Sequence, residues 1–193
     1  MIKYLLIFIF ATIFFSCNNE NNKSNKPAAP SLSKSDQQLM NDAYRNLLLS
    51  TKMAEEAINR STAAETKELA NSIMKEHHSM MSQLEIIAGK HSAELPMDIN
   101  ASQLNEWQDL VREKGIAFDK KYATIIEKKH QDQFILFTNI KQQAANQDLQ
   151  SVSDSFLNLV ESHKRQGMDL MDILNNRRSR DTASIMQEVS VQQ

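Results

Sequence analysis

One cysteine, three glycines, three prolines and one tryptophan in 193 residues set limits before any motif is read. A single cysteine, Cys17, excludes an intramolecular disulfide and a thiolate metal cluster. The prolines are Pro27, Pro30 and Pro96, and the glycines Gly89, Gly115 and Gly167. Residues 36–176 are therefore almost free of helix breakers, which favours long helices and one all-α domain. Lys and Arg number 22 against 24 Asp and Glu, a net charge of −2. Without a basic excess, nucleic acid is not an expected partner. No serine–histidine–acid set, phosphate loop or nucleotide motif is visible, so no catalytic residue is assigned. Nor is there an apolar run of about 20 residues, the length a membrane-spanning helix needs.

A shorter apolar run is present. Lys3 is followed by Leu5 to Phe15, interrupted only by Thr12, and the run ends in Phe14-Phe15-Ser16-Cys17. This resembles the bacterial lipoprotein signal. The resemblance implies cleavage before Cys17 and lipid on its thiol and amine, with acyl chains that anchor the protein in a membrane. Residues 1–16 are then a signal peptide, and its loss leaves the chain one charge more negative. Residues 17–35, rich in Asn, Ser, Lys and Pro, cannot bury enough surface to fold and are expected to be a disordered tether. Asn18 after the cysteine favours the outer membrane over the inner in enteric-type sorting. The expected location is the cell envelope, with the domain in the periplasm or at the cell surface and no protein partner identified.

Apolar periodicity divides residues 36–176 into four long helices. Helix A runs from Asp36 to Arg60 after Ser35 as N-cap, with Leu39, Ala43, Leu47, Ala54 and Ala57 on its stripe. Thr62-Ala63-Ala64-Glu65 fits a capping box that starts helix B. The stripe of helix B is Leu69, Ile73, His77, Met80 or Met81, Leu84 and Ala88, ending near His91. Helix C spans Ile116 to Ala145, with Tyr122, Ile126, His130, Phe134 and Phe137 inward. Helix D spans Asp148 to Asn176, with Val152, Phe156, Val160, His163, Gly167, Leu170 and Leu174 inward. Gly167 on that face suits a close helix approach. Arg177, Arg178 and Arg180 lie just past its end, where basic groups complement the helix dipole. They open a frayed or weakly helical tail, 177–193. Short links join A to B and C to D. The B–C link, 92–115, carries a short helix from Ser102 to Lys114 with Trp107, Leu110 and Val111, and is long enough to cross the bundle. Two antiparallel hairpins joined by a long crossover make a ferritin-like four-helix bundle.

His77, His130 and His163 each fall near the middle of their helices and on the apolar stripe. Mid-helix positions share one height whichever way each helix points. One reading is a core site for a divalent metal ion such as zinc, copper or iron, with these three imidazoles as ligands and Glu127, three residues before His130, as a fourth. The other is a structural or partner-binding bundle whose core histidines are hydrogen-bonded to Asp119, Tyr122, Ser50, Thr51 or water. Met80, Met81, Met168 and Met171 add thioethers near the imidazoles. Thioethers suit Cu(I), although methionine stripes commonly fill cores.

The region 36–176 resembles the bacterial domain-of-unknown-function family 4142, placed among ferritin-like folds. The resemblance rests on Thr66-Lys67-Glu68-Leu69-Ala70, the acidic–histidine pair Glu76-His77, the stretch Leu84 to Pro96, and Phe118-Asp119-x-x-Tyr122 with His130 and His163. It implies an outer-membrane or periplasmic protein whose activity is not established. Where that family often has a glutamate in mid helix A, this sequence reads Ser50-Thr51-Lys52. Ferritins use Glu-x-x-His on two helices, and here only Glu127-Lys128-Lys129-His130 fits, which argues against a ferroxidase di-iron centre. The His-His-x-x-Met-like run His77-His78-Ser79-Met80-Met81 is similar to a second ferritin-like envelope family, number 305, linked to copper tolerance.

Overall fold

A computed structural model describes residues 31–191, with side chains to residue 177. The expected signal peptide and lipidated Cys17 lie outside these residues, as does most of the expected tether. The described chain is all-α: α1 Lys34–Arg60, α2 Ala64–Lys90, α3 Ala101–Val111, α4 Gly115–Gln143 and α5 Gln147–Val191. None of its helices is long and apolar enough to cross a membrane.

Two hairpins, α1 with α2 and α4 with α5, carry the most extensive packing. They join through α1 against α4 and α2 against α5. Polar contacts at the ends fix the directions. Asp36 at the start of α1 accepts the N–H groups of Ala145 and Asn146, both at 3.0 Å, where α4 ends. Arg60 at the other end of α1 donates to the carbonyls of Val111 and Glu113, at 2.7 and 2.9 Å, where α4 is about to begin. So α1 and α4 are antiparallel. Lys90 at the end of α2 meets Asp148 at the start of α5, and Arg177 of α5 pairs with Glu65 at the start of α2. Hence α2 and α4 run the same way, and the link between them must travel the length of the bundle. It does so along α1, from Gln37, which donates to the Glu94 carbonyl at 2.7 Å, to Arg60, with α3 packed on α1 and α4. This is the ferritin-like arrangement expected from the lengths of the connections.

Local signals explain most helix ends, with some differences from expectation. Ser33, not Ser35, caps α1, its Oγ accepting from the Asp36 N–H at 3.0 Å. The helix begins earlier with this cap, which places Asp36 in its first turn, where it holds the α4–α5 corner. The capping box expected at the start of α2 does not form: Ala63 is the N-cap and makes no side-chain cap bond. Tertiary partners claim its two members, since Thr62 Oγ1 donates to Asp119 Oδ2 at 3.1 Å and Glu65 holds Arg177. A capping box does open α3, between Asn100 and Gln103. The expected stop at Asn176 is absent, and the α5 backbone stays helical to Val191. Arg177 therefore belongs to the helix rather than to a tail beyond it.

The core has two halves. One, around Met40, Leu47, Met80, Leu84, Phe137 and Phe156, fills one end. The other, around Met53, Ile73, Phe118, Tyr122, Ile126 and Leu170, fills the other. Along every long helix the residues between these halves are polar and buried: Ser50 on α1, His77 on α2, His130 and Gln133 on α4, and His163 on α5. An apolar side chain at each of these positions would contribute about 1.5–3 kcal/mol. The bundle forgoes that stabilisation at its waist.

Candidate metal centre

The helical period brings three imidazoles into this waist from three helices. His77 follows Ile73 by one turn and precedes Met80; His130 follows Ile126; His163 follows Val160. His77 and His130 are 0% exposed and His163 1%. Ring centroids are 5.2 Å apart for His77 and His130, 5.4 Å for His77 and His163, and 4.8 Å for His130 and His163. One nitrogen from each ring lies within 4.8 Å of the other two.

The hydrogen bonds set the protons. His130 Nδ1 lies 2.8 Å from the Ile126 carbonyl oxygen, which can only accept, so the ring is protonated there. Its Nε2 is left with a lone pair directed at His77 Nε2, 3.2 Å away. Fixing one ring nitrogen by a backbone carbonyl so that the other presents its lone pair is how proteins orient metal-binding histidines. The His77 ring also lies beside the Leu47 carbonyl, but its Nδ1 makes no aligned hydrogen bond. Either tautomer of His77 leaves a conflict. A proton on Nε2 satisfies His130 and leaves Nδ1 with no donor; a proton on Nδ1 sets two bare Nε2 atoms face to face. His163 has no hydrogen-bond partner at Nδ1, and its Nε2 stands 2.9 Å from Glu76 Oε2 without the alignment of a hydrogen bond.

Burial keeps all three rings neutral. Desolvation is the largest cause for each. It holds His77 well below the usual histidine range, helped by His130 and His163, and pushes His130 down to about 3, helped by His163. His163 is lowered as well, with the Glu76 carboxylate opposing the shift. Neutral imidazole is the form that binds a metal ion.

The alternative partners lie elsewhere. Asp119 is taken by Thr62, and Tyr122 is buried with no partner for its hydroxyl. Ser50 Oγ accepts from Gln133 Nε2 at 2.9 Å, while Thr51 Oγ1 has no partner. Phe118, under the Arg60 guanidinium at 4.9 Å, and Asp119 instead fasten the start of α4 to the α1–α2 corner. Glu127 does not join the cluster. It is exposed on α4, because stepping back three residues rotates it off the inward line, where Ile126 sits. Met80 and Met81 pack in the core half beyond the histidines and Met168 is largely exposed.

Two residues at the waist were not singled out as site residues from sequence. Gln133 replaces Phe134 as the fully buried residue, with Phe134 only partly buried. Its position one turn after His130 was the available signal. Glu76, read only as half of an acidic–histidine pair, reaches His163 from the neighbouring helix. Gly167 makes the α4–α5 approach close: a Cβ there would stand 3.1 Å from the Glu127 backbone nitrogen and 3.4 Å from the Ala123 carbonyl oxygen.

Among solved structures, a DUF305 fragment from Deinococcus radiodurans is similar, with TM-score 0.65 and 13% identity over 76% of this chain and 99% of that one. CopM in its Cu(II)-bound form is similar with TM-score 0.61 and 15% identity, over 71% of this chain and 95% of that one. At such identities the likeness is one of fold. No curated protein matches the sequence. A family model does match, across residues 21–170, and by that match the chain belongs to the family described as a domain of unknown function, DUF4142.

Proposed function

We propose that this protein binds one divalent transition-metal ion at the waist of its bundle, with His77, His130 and His163 as ligands. The observation that carries the reading is the convergence of three fully buried, neutral imidazoles whose ligand nitrogens lie within 4.8 Å of one another. An ion bound at about 2.0–2.1 Å would draw those nitrogens to about 3.3–3.5 Å apart, a movement side chains can supply. Hydrogen bonding alone leaves the cluster unsatisfied, and buried polar groups without partners cost about 1–3 kcal/mol each.

Imidazole ligands suit zinc, copper and iron. Copper(II) has the additional support that CopM, of similar fold, is known in a Cu(II)-bound form. A carboxylate-bridged di-iron centre has no support, since Glu127 is exposed and, among the described residues, the cluster's one carboxylate contact is that of Glu76 with His163. Binding without turnover is therefore the reading, with the ion sequestered or held as a structural centre.

The test is metal analysis of untagged protein beside a His130→Ala variant. One ion per chain in the wild type and none in the variant is expected. Equal, negligible metal in both, after exposure to Zn²⁺ and Cu²⁺, would remove the proposal.

The apolar run ending at Cys17 supports a lipid anchor in the cell envelope, by which we place the bundle at a membrane surface. Cys17→Ser should move the protein from the membrane to the soluble fraction, and an unchanged distribution would count against the anchor.

A further inference from the structure

We infer that Glu76 is the fourth ligand of this centre and the point at which an ion enters it from solvent. The inference rests on the metal reading above. Three features of Glu76 set it apart from the other carboxylates among the described residues.

The first is the contact with His163. Oε2 lies 2.9 Å from Nε2, yet the pair is not aligned as a hydrogen bond. Two atoms that ligate one ion at about 2.0–2.1 Å sit close together with their lone pairs converging on the ion rather than on each other. The unaligned contact at 2.9 Å would have to open only slightly to reach the spacing of about 3.3–3.5 Å that two ligands of one ion take up. His130 Nε2 and His77 Nε2, at 3.2 Å, are the other close pair of the cluster, and these two are aligned as a hydrogen bond.

The second is position across the wall of the bundle. The three histidines are at most 1% exposed, whereas the Glu76 side chain is 34% exposed. One end of the carboxylate reaches the buried ring and the other faces outward. Oε1 accepts from Ser72 Oγ at 3.2 Å, so the carboxylate is held at the α2–α5 seam.

The third is what lies outside. Ser72 also lines a surface groove of about 320 Å³ between α2 and α5, together with Glu65, Glu68 and Asp169. With Glu65 paired to Arg177, Glu68 and Asp169 leave this lining net acidic, so a cation approaching the seam meets favourable potential before it meets Glu76. The outcome is a three-nitrogen, one-oxygen site, the donor set of a borderline divalent ion and not of a soft Cu(I) centre.

The experiment uses Co²⁺, whose visible bands report donor set and geometry, and Zn²⁺ for affinity. Wild type, Glu76→Gln, Glu76→Ala and His130→Ala are compared after melting curves of the metal-free proteins confirm that each is folded. Wild type should bind one Co²⁺ per chain. Glu76→Gln should weaken Zn²⁺ binding by about 10- to 100-fold, shift the Co²⁺ bands and slow loading, and Glu76→Ala should do so at least as strongly. Wild-type affinity and bands in both Glu76 variants, with loss in His130→Ala, would overturn the role of Glu76 and leave the three-histidine site. Weaker binding with unshifted bands would also overturn it, making Glu76 a positioning residue for His163. A wild type that binds no metal would overturn both.

Discussion

His77 and His130, 53 positions apart and on different helices, bring their Nε2 atoms to 3.2 Å in a waist closed to water. Because the Ile126 carbonyl fixes the proton of His130 on Nδ1, at least one of these two atoms presents a lone pair. The relationship underlies the proposed metal site, and it predicts how substitutions will behave.

Replacing His77 and His130 together by leucine should leave the metal-free protein as stable as before, or more stable by about 1–3 kcal/mol. Two desolvated polar rings give way to apolar groups of similar volume. Stabilisation by added Zn²⁺, which would reach about 2.7 kcal/mol at 100 times the dissociation constant, should vanish. Urea unfolding with and without Zn²⁺ measures both. A large loss of metal-free stability would mean that the imidazoles hold the fold together themselves.

Acid should weaken the metal-free protein through these groups. Their folded pKa values are lowered, that of His130 to about 3, while the unfolded chain titrates near 6.5. Between those values the unfolded state binds more protons, so stability rises with pH there. The contribution is complete above about pH 6.5 and is lost as pH falls toward the folded values. Denaturant midpoints from pH 7.5 to 5 should fall for the wild type and fall less for the His77→Leu, His130→Leu double variant.

Gly167 predicts a packing effect with an offset. Alanine is favoured over glycine in a helix by about 1 kcal/mol. The added methyl would meet the Glu127 backbone at 3.1 Å, and a helix backbone cannot step aside as a side chain can. Overpacking of this kind costs about 1–3 kcal/mol. Gly167→Ala should therefore lower the melting temperature and, with His163 one turn away, weaken Zn²⁺ binding. An unchanged or raised melting temperature would show that α4 and α5 have room to separate.

Asp36 is 2% exposed and accepts two backbone N–H groups at the α4–α5 corner. Asp36→Ala should destabilise by about 1–3 kcal/mol, since it removes two charge-assisted hydrogen bonds to part-buried donors. Ser35→Ala, by contrast, should change little, because Ser33 supplies the cap. Thermal melts of the two variants distinguish them.

Local rules read well where the local signal had no competitor. The long helices followed from apolar spacing and scarce breakers, and the crossover from the lengths of the connections. At the start of α2 the same rules failed, because Thr62 and Glu65 had stronger partners across the bundle in Asp119 and Arg177. Phe134 and Gln133 show the limit of a stripe read by hydropathy. The apolar residue is displaced sideways, and the glutamine enters the core because Ser50 on α1 receives its amide.

By itself the sequence determined the inward stripe of each helix, apart from positions such as Phe134 and Gln133, and that three histidines stand on those stripes, since both depend on the 3.6-residue period. The tertiary structure decided which nitrogen of each ring points where, and which acid joins them. Glu127 shares a helix with His130 yet is turned to solvent, whereas Glu76 reaches His163 across the α2–α5 seam. Spacing along one helix fixes angle and height only; the distance between side chains on separate helices is set by how closely the helices pack, and at this waist the absent side chain of Gly167 is what allows that approach.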